Sequence, residues 1–240
     1  MDIICFRSEK IMRLYIDSAN IKKIAYLNEY FPIAGVTTNP SILVREKQPY
    51  LDLLKEIINV IGNNKELFVQ VIGDQAEDMI EEARFIHNHL HSNVIIKIPV
   101  TNEGIKAIKI LSADNIKTLA TAIYTPFQGL VAALAGAKYV APYVNRIDNL
   151  PGNGVNVVSE IACLFSKHNL TTEMIAASFK NVQQILDACL AGTQNITASP
   201  DLIEKLIAHP ATSTDVSNFK ADWQKAYGMD QKTIINRPVK

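Results

Sequence analysis

Strand-like and helix-like stretches alternate eight times along this chain, and no other feature limits its possible folds so tightly. Runs rich in β-branched and aromatic residues fall at 13–17, 34–38, 67–72, 94–99, 118–122, 139–144, 174–178 and 195–198. Helical periodicity fills the intervals, at 21–30, 50–61, 76–89, 104–113, 126–135, 155–167, 182–191 and 202–208. Such regular alternation implies a parallel sheet covered by helices. Eight units within about 230 residues fit a closed (β/α)8 TIM barrel better than an open sheet. An open doubly wound sheet would more often carry a glycine-rich phosphate turn after its first strand, and Asp17-Ser18-Ala19-Asn20 is not one. With no linker or low-complexity tract, residues 12–228 read as a single barrel with an extra C-terminal helix. Residues 1–11 read as an N-terminal extension and residues 229–240 as a tail.

Composition narrows the function classes. Lys plus Arg and Asp plus Glu number 24 each, so the formal charge is zero, and no basic stripe or charge block offers a nucleic acid or an anionic membrane a partner surface. Cys5, Cys163 and Cys189 are odd in number and far apart, the pattern of reduced thiols in a cytoplasmic setting. The first eleven residues include Arg7, Glu9 and Lys10 and do not resemble a signal peptide. The most apolar region, 130–144, is interrupted by Lys138 and is too short to span a membrane.

The chemistry is expected around Val94-Ile95-Ile96-Lys97-Ile98-Pro99-Val100. In a strand Ile95, Lys97 and Pro99 share one face. An ammonium placed there must find a partner, reach water or lose its proton. Loss of the proton, driven by desolvation, produces the neutral amine that attacks carbonyls. Taken alone, a paired or snorkelling structural lysine explains the residue as well. The other strand ends shift that balance. Barrel active sites form at the C-terminal ends of the strands, and those ends carry Asp17, Thr37-Thr38-Asn39, Gln70, Lys97, Thr121, Tyr143 with Asn145-Arg146, and Ser178 with Lys180. Individually each has a plain reading. Asn39 before Pro40 is a helix cap, Asp17 is another, Gln70 and Thr121 are bonded core polar groups, Tyr143 is a core aromatic, and Ser178 simply ends a strand. Jointly they exceed what a packed core requires, since every buried polar group needs a partner.

Arg146, Ser178 and Lys180 follow late strands and could clamp a phosphate, with backbone N–H groups near Gly152-Asn153-Gly154 adding to the site. Asp148, two residues from Arg146, could equally pair with it. His87 and His91 have a spacing that can bind zinc, but no carboxylate accompanies them and they fall on the far side of the barrel, so no metal site is expected.

Four motifs carry a resemblance. Gly35-Val36-Thr37-Thr38-Asn39-Pro40-Ser41, the run from Val94 to Thr101, the run from Tyr139 to Asp148, and Ala176-Ala177-Ser178-Phe179-Lys180 are similar in order and content to the transaldolase family, most closely its small fructose-6-phosphate aldolase subfamily. The likeness runs from about residue 12 to about 227. It implies a class I aldolase barrel with Lys97 as Schiff-base lysine and neither metal nor organic cofactor. It implies that Asp17 and Asn39, with Thr37, contact substrate hydroxyls, that Arg146, Ser178 and Lys180 hold the phosphate, and that Gln70, Thr121 and Tyr143 hold a water near the imine. Transaldolases carry glutamate and phenylalanine where this chain has Gln70 and Tyr143; the aldolase pattern has glutamine and tyrosine. The implied reaction is cleavage or formation of fructose 6-phosphate from dihydroxyacetone and glyceraldehyde 3-phosphate. Tyr143 is the expected acid/base and Asp17 the alternative. Transfer of a dihydroxyacetone unit between sugar phosphates is the competing activity, and a metal-dependent aldolase or a non-catalytic sugar-phosphate sensor are the other classes. Phe219, Trp223 and Tyr227 recur every fourth residue and form an aromatic helix stripe, which suits packing on the barrel or on a second copy. The resemblance implies a homo-oligomer, a decamer, assembled through that helix.

Overall fold

Eight parallel strands pair in chain order, and the eighth returns to the first to close a barrel. The computed structural model describes residues 11–90 and 93–228. The strands are β1 Arg13–Asp17, β2 Ile33–Thr37, β3 Glu66–Gln70, β4 Val94–Pro99, β5 Thr118–Ile123, β6 Tyr139–Pro142, β7 Glu173–Ala176 and β8 Asn195–Ala198. The helices are α1 Ile21–Tyr30, α2 Pro40–Leu43, α3 Tyr50–Ile61, α4 Ala76–Leu90, α5 Asn102–Ala113, α6 Pro126–Leu134, α7 Val144–Asp148, α8 Gly154–Lys167, α9 Val182–Leu190, α10 Pro200–Lys205 and α11 Pro210–Tyr227. All eight expected strands and all eight expected helices are present. The short helices α2 and α7 add to them, each directly after a strand that carries expected site residues. The N-terminal extension (apart from Ile11), the tail, Cys5 and His91 lie outside the described residues.

The alternation of side chains along each strand builds two apolar layers. Ile16, Val36, Val69, Ile96, Ile98, Val140 and Ala176 face outward and pack with the buried faces of the helices. Tyr15, Phe68, Ile95, Leu119, Tyr139, Ala141 and Ile175 fill the interior. There the Phe68 ring meets Tyr15 and Tyr139 edge-on, with centroids 5.3 and 5.5 Å apart. Lys97 lies two residues beyond Ile95 and so rises from the same interior face toward the C-terminal mouth.

At the opposite end the interior is polar. Arg13 ion-pairs with Glu173 and, at 3.3 Å, with Glu66, and its Nε donates to Asn195 at 2.9 Å. Tyr15 and Tyr139 donate their hydroxyl protons to the two oxygens of Glu66, at 2.5 and 2.8 Å. Burial, reinforced by the Glu66 charge, pushes both phenols well above their usual range. Two carboxylates, two phenols and a guanidinium thus satisfy one another and plug the floor of the barrel.

Polar caps start the helices at the mouth. Asn20, Asn39, Thr101, Thr125, Asn153 and Asn181 each accept a backbone N–H from the first turn of α1, α2, α5, α6, α8 and α9, respectively. Gly104 is required in α5, because a Cβ there would stand 1.9 Å from the Pro99 carbonyl at the end of β4. The chain divides into two compact units after Ile203. The second contains α11, an 18-residue helix with no buried residue, in which Phe219 and Tyr227 are 70% and 61% exposed. No described helix is long and apolar enough to cross a membrane.

Candidate active site

Lys97 is 6% exposed, and its Nζ donates to the Thr38 carbonyl at 2.6 Å. That carbonyl is held rigidly, because both the backbone N–H and the hydroxyl of Thr38 donate to Phe68 O, at 3.0 and 2.8 Å. Desolvation pulls the Lys97 pKa down; the Asp17 carboxylate opposes the shift and the Arg146 guanidinium adds to it. The amine is buried rather than snorkelling, its hydrogen-bond partner is a carbonyl, and it forms no salt bridge among the described residues.

On one side of the mouth Asp17 Oδ1 accepts from Thr37 Oγ1 at 2.8 Å, and Thr37 Oγ1 lies 2.6 Å from Thr197 Oγ1. With the single Thr37 proton given to Asp17, Thr197 supplies its own proton to Thr37. Thr37 is 1% exposed and both its bonds are internal, one of them to Asp17. Thr197, on β8, completes this chain. Asp17 does not cap α1, a role taken by Asn20. Asn39 is a cap: its Oδ1 accepts from Ile42 N–H at 3.0 Å, which fixes the side chain and leaves the amide nitrogen as the group available to a ligand.

On the other side Thr121 Oγ1 and Tyr143 Oη share a hydrogen bond of 2.6 Å. A bulge makes this meeting possible. The β5–β6 register shifts between Ala120 and Ile123, and Ala122 takes a left-handed backbone with φ 59°, a strained state for alanine placed next to Thr121. Tyr143 lies just past β6, bridged to Ala177, with the Tyr124 ring edge-on at 5.9 Å. The Arg146 guanidinium stacks over the Tyr143 ring, 4.7 Å from its centroid. Gln70 ends β3 half-buried and opposite Lys97 in the strand register.

Arg146, on α7, and Lys180, on the loop after β7, are exposed and form no salt bridge among the described residues. Ser178, between them, has a left-handed φ of 62°, and its carbonyl accepts from Asn145 N–H at 2.7 Å. Two expectations are corrected here. Asp148 does not pair with Arg146: its carboxylate accepts from Gly154 N–H and from Gln184 Nε2, each at 2.7 Å. That same bond occupies Gly154 N–H, so the α8 N-terminus offers this group to Asp148 and not to a phosphate. Among the described residues no three His, Cys, Asp or Glu side chains converge as a metal site.

The barrel mouth thus gathers Asp17, Thr37, Asn39, Gln70, Lys97, Thr121 and Tyr143, with Arg146, Ser178 and Lys180 at its β6–β7 side. Thr197, Tyr124 and the Ala122 bulge were not expected. Thr197 and Ala122 sit at strand ends, yet small residues there carry no chemical signal of their own. A transaldolase/fructose-6-phosphate aldolase family model matches residues 14–237. The chain belongs to that family. It is accordingly an enzyme of the transaldolase or aldolase type, acting on sugar phosphates.

Proposed function

We propose that this family member is a Schiff-base aldolase that cleaves and forms fructose 6-phosphate from dihydroxyacetone and glyceraldehyde 3-phosphate. The observation that carries the proposal is the buried Lys97 amine, held at the mouth on the Thr38 carbonyl with no carboxylate bonded to it among the described residues, where desolvation pulls its pKa down. Neutral Lys97 attacks the C2 ketone, and the carbinolamine takes one proton from solvent, returned on the final hydrolysis, and loses water to give an iminium whose N–H has the Thr38 carbonyl as acceptor. The C4 hydroxyl proton passes to the Asp17 carboxylate, the C3–C4 bond breaks, and its electron pair moves into the iminium to form an enamine. Glyceraldehyde 3-phosphate leaves. Tyr143 then gives its proton to C3 of the enamine and regains one from Asp17 through solvent, so protons balance. Water hydrolyses the restored iminium, freeing dihydroxyacetone and the lysine. Asn39 orients substrate hydroxyls; Arg146, Ser178 and Lys180 hold the phosphate; Gln70 positions water beside the imine. No metal or organic cofactor takes part.

The Tyr143–Thr121 pair favours release over transfer, because a phenol beside the enamine can protonate it before a second aldehyde arrives. Transaldolase activity is the second reading. The exposed Phe219 and Tyr227 of α11 support assembly of several copies through that helix. Fructose 6-phosphate incubated with enzyme alone should yield free dihydroxyacetone, measured by proton NMR. Product that appears only when an acceptor aldehyde is added would overturn aldolase in favour of transaldolase.

A further inference from the structure

One side chain is bonded to both segments that carry the cations of the proposed phosphate site. Gln184 lies in the first turn of α9, anchored by its own N–H on the Asn181 side chain at 2.9 Å. Its Oε1 accepts from the Lys180 backbone N–H at 2.7 Å. Its Nε2 donates to Asp148 Oδ2 at 2.7 Å and to Asn145 Oδ1 at 3.3 Å. Every polar group of the side chain is thereby used, and the loop after β7 is tied to α7, the helix that carries Arg146.

The bond to Asp148 has an electrostatic consequence. Asp148 is two residues from Arg146 and would be the nearest anion in sequence for that guanidinium. Instead Gly154 N–H takes one carboxylate oxygen and Gln184 takes the other. Arg146 is left to stack on Tyr143, its donors unclaimed by any carboxylate among the described residues. We infer that Gln184 is a positioning residue for phosphate specificity: it keeps Asp148 away from Arg146 and fixes the spacing of Arg146 and Lys180. Without it, Asp148 turns to Arg146 and neutralises half of the clamp. The inference rests on Arg146 and Lys180 being the phosphate site.

The test measures aldol addition of dihydroxyacetone to glyceraldehyde 3-phosphate and to unphosphorylated glyceraldehyde. Gln184→Met should raise KM for the phosphorylated aldehyde about ten-fold, the effect of losing a hydrogen bond to a charged group. Its kcat, and both constants for glyceraldehyde, should stay within two-fold, roughly the scatter of a neutral surface change. Adding Asp148→Asn to Gln184→Met should return most of the lost affinity, because the freed group no longer carries charge; a purely structural role for Gln184 would not be rescued in this way. Gln184→Glu, which keeps the bond to Lys180 N–H and repels Asp148, replaces Gln184→Met if the latter melts early. Arg146→Ala separates the two claims. If Arg146→Ala leaves the preference for phosphate intact, the phosphate-site reading fails. If it abolishes the preference while the Gln184 variants keep it, or the double variant shows no recovery, the inference about Gln184 is overturned.

Discussion

A lysine attacks a carbonyl only as the free amine, and the two charged neighbours of Lys97 act on that amine in opposite senses. Desolvation lowers its pKa, Asp17 raises it and Arg146 lowers it. Activity should therefore rise with pH along a limb that lies below the ordinary lysine value of about 10.4. Removing the carboxylate in Asp17→Asn removes the opposing influence, so the limb should move to lower pH. Removing the guanidinium in Arg146→Ala should move it to higher pH. Reductive-trapping rates measured against pH for the three proteins check both signs, and a common shift in one direction would contradict the assignment. Tyr143→Phe should lower the rate of dihydroxyacetone release by about 10²-fold, the range of a lost general acid, with little change in sugar-phosphate affinity. An equal loss in both would remove Tyr143 from proton transfer. These residues were legible in the sequence because ionisable groups ending strongly apolar strands stand out. Thr197 was not, since its significance depends on a bond to Thr37, 160 positions away.

Short connecting elements shape the site as much as the strands do. Ser178 holds a left-handed backbone that glycine adopts more readily. Ser178→Gly should thus raise unfolding stability by about 1 kcal/mol in urea titrations, while weakening affinity for phosphorylated substrates through loss of the hydroxyl. A stability loss would show that the serine side chain supports the loop. The strand and helix positions followed from period and composition, but α2 and α7 did not: four or five residues are too few for helical periodicity to register. The cap readings were partly right for the same local reasons. Asn39 before Pro40 does cap, whereas the α1 cap is Asn20 and not Asp17, because Asp17 is committed to Thr37. The bulge at Ala122 had no sequence signal, as alanine seldom occupies that backbone region.

For the whole molecule, the barrel gathers the candidate site at one end and a self-satisfied polar plug at the other. Arg13, Glu66 and Glu173 come from strands far apart in sequence, so their meeting depends on closure of the sheet and could not be read from local pattern. Glu66→Ala leaves two phenols without their acceptor and takes one of two carboxylates from Arg13, and should cost about 2–3 kcal/mol, somewhat less than breaking a fully buried pair because Arg13 keeps Glu173 and its side chain is 32% exposed. Calorimetry should show a lower melting temperature with the Schiff-base chemistry of the folded protein unchanged. A loss of chemistry without a loss of stability would mean the plug communicates with the mouth. The fold class was readable because eight repeats of one unit leave few alternatives.

The most direct measurement is mass spectrometry after borohydride reduction in the presence of dihydroxyacetone, on the unaltered protein and on Lys97→Ala. The account expects one covalent adduct, mapped to the peptide containing Lys97 and absent from the variant. No adduct, or an adduct on another lysine, would contradict it.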